Sequence, residues 1–299
     1  MLEDKSANKS SSSSSSEWMG EDGPSGEGLY STPAGRIPLD CHGVSVVGKG
    51  RRVNQDDYLL APLPTQGGPA FLFAVADGIG GGPAGDRASG MAIQGLHEFV
   101  RKTAAEPDLM RAIDPGELLR RGVLRCHEQI LADVESHPEL FGMGTTLTAA
   151  LVLWPRVWIV NAGDSRCYRL RDARLERLTF DHTLVQKLTD EGILTPETAR
   201  RSRWRHALWN HLGKSSAAVD PQVVASELRP DDALLLTTDG VTDPLTDEEI
   251  EAFAGESGPA RRLSRRIVEA AEEKGGKDDM TLIFARFSRR GAERASDLA

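Results

Sequence analysis

The sequence predicts an α+β layered domain, with antiparallel sheets covered by helices. Two observations carry that prediction. Strand-like runs come first, helical periodicities follow, and strands and helices then return, with no segment repeating itself. Several neighbouring strand-like runs are separated only by short polar turns, which favours antiparallel pairing over parallel crossovers.

The elements follow in order. "HGVSVVG" and "DYLLAP" flank the polar stretch "KGRRVNQD" and read as a hairpin, and "AFLFAVAD" is a third strand. Two helical patterns come next. Met91, Leu96, Phe99 and Val100 share a face in the first, and Leu119, Val123, Cys126, Ile130 and Val134 in the second. The second opens on Asp114-Pro115-x-Glu117, a cap with a proline in the first turn. A meander of "TLTAALVLW", "VWIVNAGD" and "RCYRLRDARLERL" follows, the last folding back about Asp172-Ala173. A helical stretch around Leu184 to Leu194 leads into "ETARRSRWRHALWNHLG". "ALLLTTD" is a strand, Thr246 with Glu249 three residues on is a capping box, a last helix lies near Arg262 to Glu273, and "KDDMTLIFARF" closes the domain.

Composition narrows the function. With 39% hydrophobic and 27% charged residues in 299, the chain reads as a globular protein. A net charge of −9 argues against nucleic acid as a partner and suits a protein that handles divalent cations. Cys41, Cys126 and Cys167 form no C-x-x-C pair, so neither a disulfide framework nor a thiolate zinc site is readable, and a reducing, cytoplasmic setting is expected. No stretch approaches a membrane span. The serine run Ser10 to Ser16 and "EWMGEDGPSGEG" cannot offset their ordering entropy, so residues 1–36 are expected to be a disordered tail, either a solubilising leader or a regulatory segment phosphorylated on serine.

"FLFAVADGIGGGPAGDRAS" admits two readings. Gly80, Gly82 and Gly85 match G-x-G-x-x-G, but a dinucleotide fold needs a second strand ending in an acidic residue, and the acidic candidate, Glu98, lies inside a helical pattern. The other reading aims Asp77 at a metal. Aspartates recur where strand-like runs begin or end, at Asp56, Asp77, Asp164, Asp239 and Asp278. Any one of them is an ordinary turn residue, but five converging would repel unless cations neutralised them. Oxygen donors suit Mg²⁺ or Mn²⁺. The seven histidines show no zinc spacing, and His206 and His211 read as helix-surface residues.

"RRVNQDD", "ADGIGG…GDRAS", "GMGTTL", "NAGDSR", "DHTLVQKL", "TTDGVTD" and "KDDMT" occur in the order found in the metal-dependent protein phosphatases, PPM or type 2C, and the resemblance runs from about Gly43 to Phe287. It implies a four-layer αββα sandwich of two antiparallel sheets flanked by helices, with a dinuclear metal cleft at one sheet edge. The catalytic domain would span residues 37–288, with a flap at about 180–215 and a flexible tail at 289–299. Asp77 would bridge two core ions, Mn²⁺ or Mg²⁺, and the carbonyl of Gly78 would ligate the second. Asp239 and Asp278 would complete the shell of the first ion, and Asp56 would orient waters on the second. Asp164 with Asp239 would hold the weaker third ion of bacterial members. Arg51 falls at the phosphate-binding position, with Arg52 its rival.

Two such cations about 3.5–4 Å apart would turn a shared water into the nucleophile, so neither an activated serine nor a cysteine is needed, and Ser165 reads as structural. The implied activity is hydrolysis of phosphoserine and phosphothreonine in proteins, opposing a Ser/Thr kinase, by a monomer. The alternatives are an inactive phosphoprotein-binding homologue and a small-molecule phosphoesterase on the same scaffold. Three positions depart from the family pattern. Gln55 stands where many members carry glutamate. Ile79 stands where some carry a histidine acid. Asp279 replaces an asparagine and competes with Asp278 for the ligand role. In the expected flap, Arg200, Arg201, Arg203 and Arg205 form either a solvated face or a steering patch for acidic substrates, and Trp204 and Trp209 read as packing residues.

Overall fold

The computed structural model describes residues 19–20, 23–32, 35–66, 68–79, 84–213 and 218–288. In chain order the first strands are β1 (Met19–Gly20), β2 (Gly23–Thr32), β3 (Gly35–Val46), β4 (Asp56–Pro62) and β5 (Ala70–Ile79). Helices α1 (Ala84–Ala105), α2 (Pro107–Ala112) and α3 (Pro115–Ser136) follow. Then come β6 (Gly144–Thr145), β7 (Leu147–Leu153), β8 (Arg156–Ala162), β9 (Arg166–Arg171) and β10 (Arg174–Arg177). After α4 (Leu184–Asp190) and α5 (Pro196–Arg200) lie β11 (Leu212–Gly213), β12 (Gln222–Glu227) and β13 (Ala233–Thr237). The chain then runs through α6 (Asp239–Thr242), α7 (Asp247–Ala254), α8 (Ala260–Glu273) and β14 (Met280–Phe287).

One sheet has the order β1-β2-β3-β14-β13-β9-β10 and the other β11-β6-β5-β7-β8-β12, with β4 also paired to β5. The pairings are antiparallel throughout. The sheets stack face to face, with α1 and α3 on the second and α7 and α8 on the first, which gives the expected αββα layering.

Side-chain alternation builds these layers. In β5, Phe71, Phe73 and Val75 face the other sheet, while Leu72, Ala74 and Ala76 face α1 and α3. Both faces are buried, so the strand reads as one apolar run rather than an alternating one. Strand β14 behaves likewise, sending Ile283, Ala285 and Phe287 between the sheets and Met280, Leu282 and Phe284 toward α8. Local signals held where the chemistry is local. Asp114 caps α3 by accepting from the Glu117 amide, Thr246 and Glu249 form the capping box of α7, and Asp172 and Ala173 turn β9 into β10 with φ of 49° and 58°.

Two expectations are corrected. "HGVSVVG" and "DYLLAP" are not a hairpin: β3 pairs with β2 and β14, β4 pairs with β5, and they lie in different sheets. Gly43 shows why they face each other, since a Cβ there would sit 2.2 Å from the Tyr58 ring. Residues 47–55 therefore cross the sandwich instead of reversing along one sheet.

The tail expected at residues 1–36 contains β1 and β2, and β2 pairs along β3 from Ser25↔His42 to Thr32↔Gly35. Strand β3 offers a free edge of backbone donors and acceptors, and pairing to it does not require an apolar core. The rest of that tail, including the serine run, and the expected tail at 289–299 lie outside the described residues.

Candidate metal centre

The aspartates meet because strand ends from both sheets reach one edge of the sandwich. Asp56 opens β4 directly opposite Asp77 on β5. Like charges facing each other across a strand pair destabilise it, so this register is costly unless something positive lies nearby. Asp164 follows β8, Asp239 follows β13 with one residue between, and Asp278 precedes β14. Asp77, Asp164, Asp239 and Asp278 line one cleft of about 1030 Å³ together with Arg51 and His206.

The surrounding motifs hold these carboxylates in place. The Asp77 amide donates to Thr146 Oγ1 at 2.9 Å, while the Asp77 carbonyl accepts from the Thr146 amide and from Thr145 Oγ1, each at 2.9 Å. This gives the paired threonines of "GMGTTL" their purpose. Thr238 Oγ1 donates to Asp56 Oδ2 at 2.8 Å and accepts from the Thr281 amide at 3.0 Å, tying β4 to the β13 and β14 ends. At Gly78 no side chain fits, because a Cβ would lie 2.3 Å from the Gly85 carbonyl oxygen and 2.7 Å from that of Gln55. Gly78 also donates its amide to Gln55 O at 3.1 Å, so its backbone is pinned beside the cleft.

Electrostatically the cluster is short of positive charge. Desolvation, opposed by the Thr281 and Thr238 hydroxyls and reinforced by Asp239, pushes Asp56 up to about 8. Asp77 rises well above the carboxylate range through desolvation and then the charges of Asp56 and Asp239, and Asp164 rises through desolvation and Asp239. Asp239 alone goes down: burial acts against it, but hydrogen bonding and charge from His206, with Asp77 and Arg51, outweigh that.

Asp56 Oδ1 and Asp239 Oδ1 are buried and accept no hydrogen bond from any described residue. Orphaned buried oxygens among carboxylates that cannot all be ionised fit a hard divalent cation, and the donor set is the oxygen-rich kind such ions take.

The structure brings Arg51, Asp56, Asp77, Gly78, Asp164, Asp239 and Asp278 together, as the sequence reading grouped them. The two competing pairs differ in placement. Asp278 lines the cleft, whereas Asp279 is turned inward and is 1% exposed. Arg51 makes ion pairs with both Asp278 and Asp279, while Arg52 lines the cleft without an ion pair among the described residues. Ser165 is buried with its hydroxyl on Thr146 Oγ1 at 2.8 Å. Of the arginine run, the Arg200 side chain lies outside the described residues, Arg201 pairs with Glu197, Arg203 lies over the Trp204 ring, and Arg205 lines the cleft.

The reading of His206 and His211 as helix-surface residues is overturned, since neither lies in a helix. His211 is buried, and His206 places Nδ1 3.5 Å from Asp239 Oδ2 and Nε2 3.3 Å from Asp243 Oδ2. With Asp164 and Asp239, His206 offers ligand atoms all within 4.8 Å of one another. No local pattern marks it, because it reaches the cleft through tertiary folding of residues 181–211. Trp204 and Trp209, expected as packing residues, are about half exposed, with Trp209 against the His182 ring.

Residues 43–284 match the family model described as Protein phosphatase 2C. The chain belongs to that family. Among relatives of this phosphatase 2C chain, the serine/threonine protein phosphatase PstP of Mycobacterium tuberculosis strain H37Rv is 39% identical over 237 residues, which are 78% of this chain and 42% of PstP. The chain therefore spans less than half the length of that relative. The serine/threonine phosphatase Stp of Listeria welshimeri is 35% identical over 214 residues, 71% of this chain and 83% of Stp. A solved catalytic domain of PstP in complex with two manganese ions superposes with a TM-score of 0.71 at 34% identity, covering 85% of this chain and 99% of that one. The dinucleotide reading falls with this assignment: β5 has antiparallel neighbours, and Glu98 pairs on the surface of α1 with Lys102 at 3.2 Å.

Proposed function

We propose that this chain is a metal-dependent serine/threonine protein phosphatase that removes phosphate from phosphoserine and phosphothreonine in proteins, opposing a Ser/Thr kinase. The observation that carries the reading is one cleft lined by Asp77, Asp164, Asp239, Asp243 and Asp278 together with Arg51, where Asp239 and the adjoining Asp56 each keep a buried carboxylate oxygen that accepts no hydrogen bond from a described residue. Asp77, the Gly78 carbonyl, Asp239 and Asp278 would hold two core cations, with Asp56 oriented toward the second. Asp164 and Asp239 would take a weaker third. Manganese has the support of the PstP catalytic domain, and magnesium suits the same oxygen donors. Cations at such a site supply an activated water at neutral pH and neutralise phosphoryl oxygens.

The chain's own residues do the rest. Arg51 presents a guanidinium beside Asp278, where a fork of donors can bind two oxygens of a phosphoryl group. Thr145, Thr146 and Thr238 lock the Asp77 backbone and the Asp56 carboxylate, so the acidic groups need no rearrangement when substrate arrives. Ser165 takes no part as a nucleophile, being buried on Thr146. We expect the working form to be a cytoplasmic monomer with phosphoproteins as its partners.

The test is phosphate release from a phosphothreonine peptide by chelator-stripped protein, with Mn²⁺ titrated back. Activity should appear only with the metal and be abolished in Asp239→Asn and Asp77→Asn, each of which removes charge from a shared ligand. Near-normal kcat in either variant at saturating Mn²⁺ would overturn the metal assignment. Release from nucleotides or sugar phosphates but not from phosphopeptides would overturn the substrate class.

A further inference from the structure

Asp279 is a charge that the cleft does not use directly. Its carboxylate is 1% exposed and is absent from the cleft lining, unlike its neighbour Asp278. Each of its oxygens nevertheless accepts a backbone amide from the segment that carries Arg51. Oδ1 accepts from Gly48 N at 2.8 Å, and Oδ2 accepts from Gln55 N at 2.8 Å. One carboxylate thus staples both ends of the 48–55 crossing. Between those ends, Arg51 Nη1 lies 3.3 Å from the same Oδ2 and 3.2 Å from Gln55 Oε1, while Nη2 pairs with Asp278.

Further contacts stiffen the crossing. The Lys49 amide donates to Gly276 O at 2.6 Å and the Arg51 amide to Gly48 O at 3.0 Å. A Cβ on Gly48 would meet the Asp278 backbone at 2.5 Å, so the segment lies tightly against residues 277–279.

We propose that Asp279 is a positioning residue for phosphate recognition: by holding Gly48, Gln55 and Arg51 at once, it fixes the Arg51 guanidinium at the cleft. In this chain a carboxylate serves all three partners at once. An amide of the same shape has one acceptor oxygen, so it leaves either the Gly48 or the Gln55 amide facing an NH₂ group and gives Arg51 no counter-charge from this side. Gln55 shares the guanidinium as a neutral acceptor, so Asp279 supplies the buried negative charge of the trio. A buried charge-assisted contact is stronger than a neutral one and confines the side chain it binds. The proposal rests on the reading that Arg51 binds the phosphoryl group.

The test measures competitive inhibition by inorganic phosphate in the Mn²⁺-loaded full chain, with wild type, Asp279→Asn, Arg51→Ala and the double variant compared. Mn²⁺ affinity is followed in parallel by calorimetry. Asp279→Asn should weaken phosphate inhibition by about tenfold, the consequence of one lost charge-assisted contact. In the Arg51→Ala background the same substitution should change it by less than about twofold, because contacting residues that act through one another are not additive. Mn²⁺ affinity should match wild type.

An undiminished effect in the Arg51→Ala background, unchanged phosphate inhibition in Asp279→Asn, or loss of Mn²⁺ binding in Asp279→Asn would each overturn the proposal. The last outcome would show that Asp279 acts through Asp278 instead. Absence of phosphate inhibition in the wild type would overturn the reading of Arg51 itself. Should Asp279→Asn unfold, Asp279→Ser, which keeps one acceptor in a smaller side chain, is measured in the same cycle with the same two criteria.

Discussion

Asp56 shows most directly what the cleft demands of a single residue. Its carboxyl is pushed up to about 8 from an ordinary 3.8, mainly by desolvation, and Asp77 and Asp164 move the same way. Between those two pH values the metal-free folded protein holds protons that the unfolded chain has already released. Its stability should therefore fall as pH rises from about 4 to 8. Mn²⁺ takes over the role of those protons, so the fall should flatten in its presence, and binding at pH 7 should release protons. Thermal melts across that range with and without Mn²⁺ check the first expectation. Calorimetry in two buffers of different ionisation enthalpy checks the second. A metal-free protein that becomes more stable toward pH 8 would contradict the cluster's electrostatics.

At the scale of elements, the 181–211 segment brings chemistry to the cleft that the sheets do not. It carries α4 and α5, is tied back through the Thr183↔Leu208 bridge, and receives the Trp209 amide on His182 O at 3.0 Å. His182 connects the segment to the Asp164 turn, since its Nδ1 accepts from the Gly163 amide at 3.2 Å and its own amide donates to Gly163 O at 3.0 Å. Of the described arginine side chains in the segment, Arg201 is paired, Arg203 lies on an indole, and only Arg205 lines the cleft. Any steering of acidic phosphosubstrates should therefore reside in Arg205. Arg205→Ala should lower kcat/KM on a phosphoprotein several-fold at low salt, and the loss should fade above about 0.2 M salt, where the Debye length is short. Arg201→Ala should have little effect, and equal losses in the two variants would assign steering to the run as a whole.

At the scale of the whole molecule, the cleft needs both sheets, because Asp239 and Asp278 come from the first and Asp56, Asp77 and Asp164 from the second. Strands β1 and β2 extend the first sheet away from that edge. Strand β3 pairs with β14 along its other edge, from Leu39 to Val46. Removing residues 1–34 should accordingly leave peptide turnover intact while exposing the β3 edge. The truncated protein should self-associate more readily, as light scattering would detect. A large loss of turnover would show that the N-terminal strands brace the cleft.

What the sequence determined by itself was the set of local, short-range facts. Capping residues, the Asp172-Ala173 turn, the apolar strands and five aspartates at strand ends all follow from chemistry within a few residues, and the ordered motifs pointed to the family. It could not assign β3 and β4 to opposite sheets, because strand pairing depends on which edges are available and not on the turn between two runs. Nor could it find His206, which acquires its meaning only when residues 181–211 fold over Asp239 and Asp243. The same holds for Asp278 and Asp279, adjacent and chemically alike. The bend before β14 sends one toward the cleft and the other into the backbone amides of residues 48 and 55, and direction in space is a property of the tertiary structure alone.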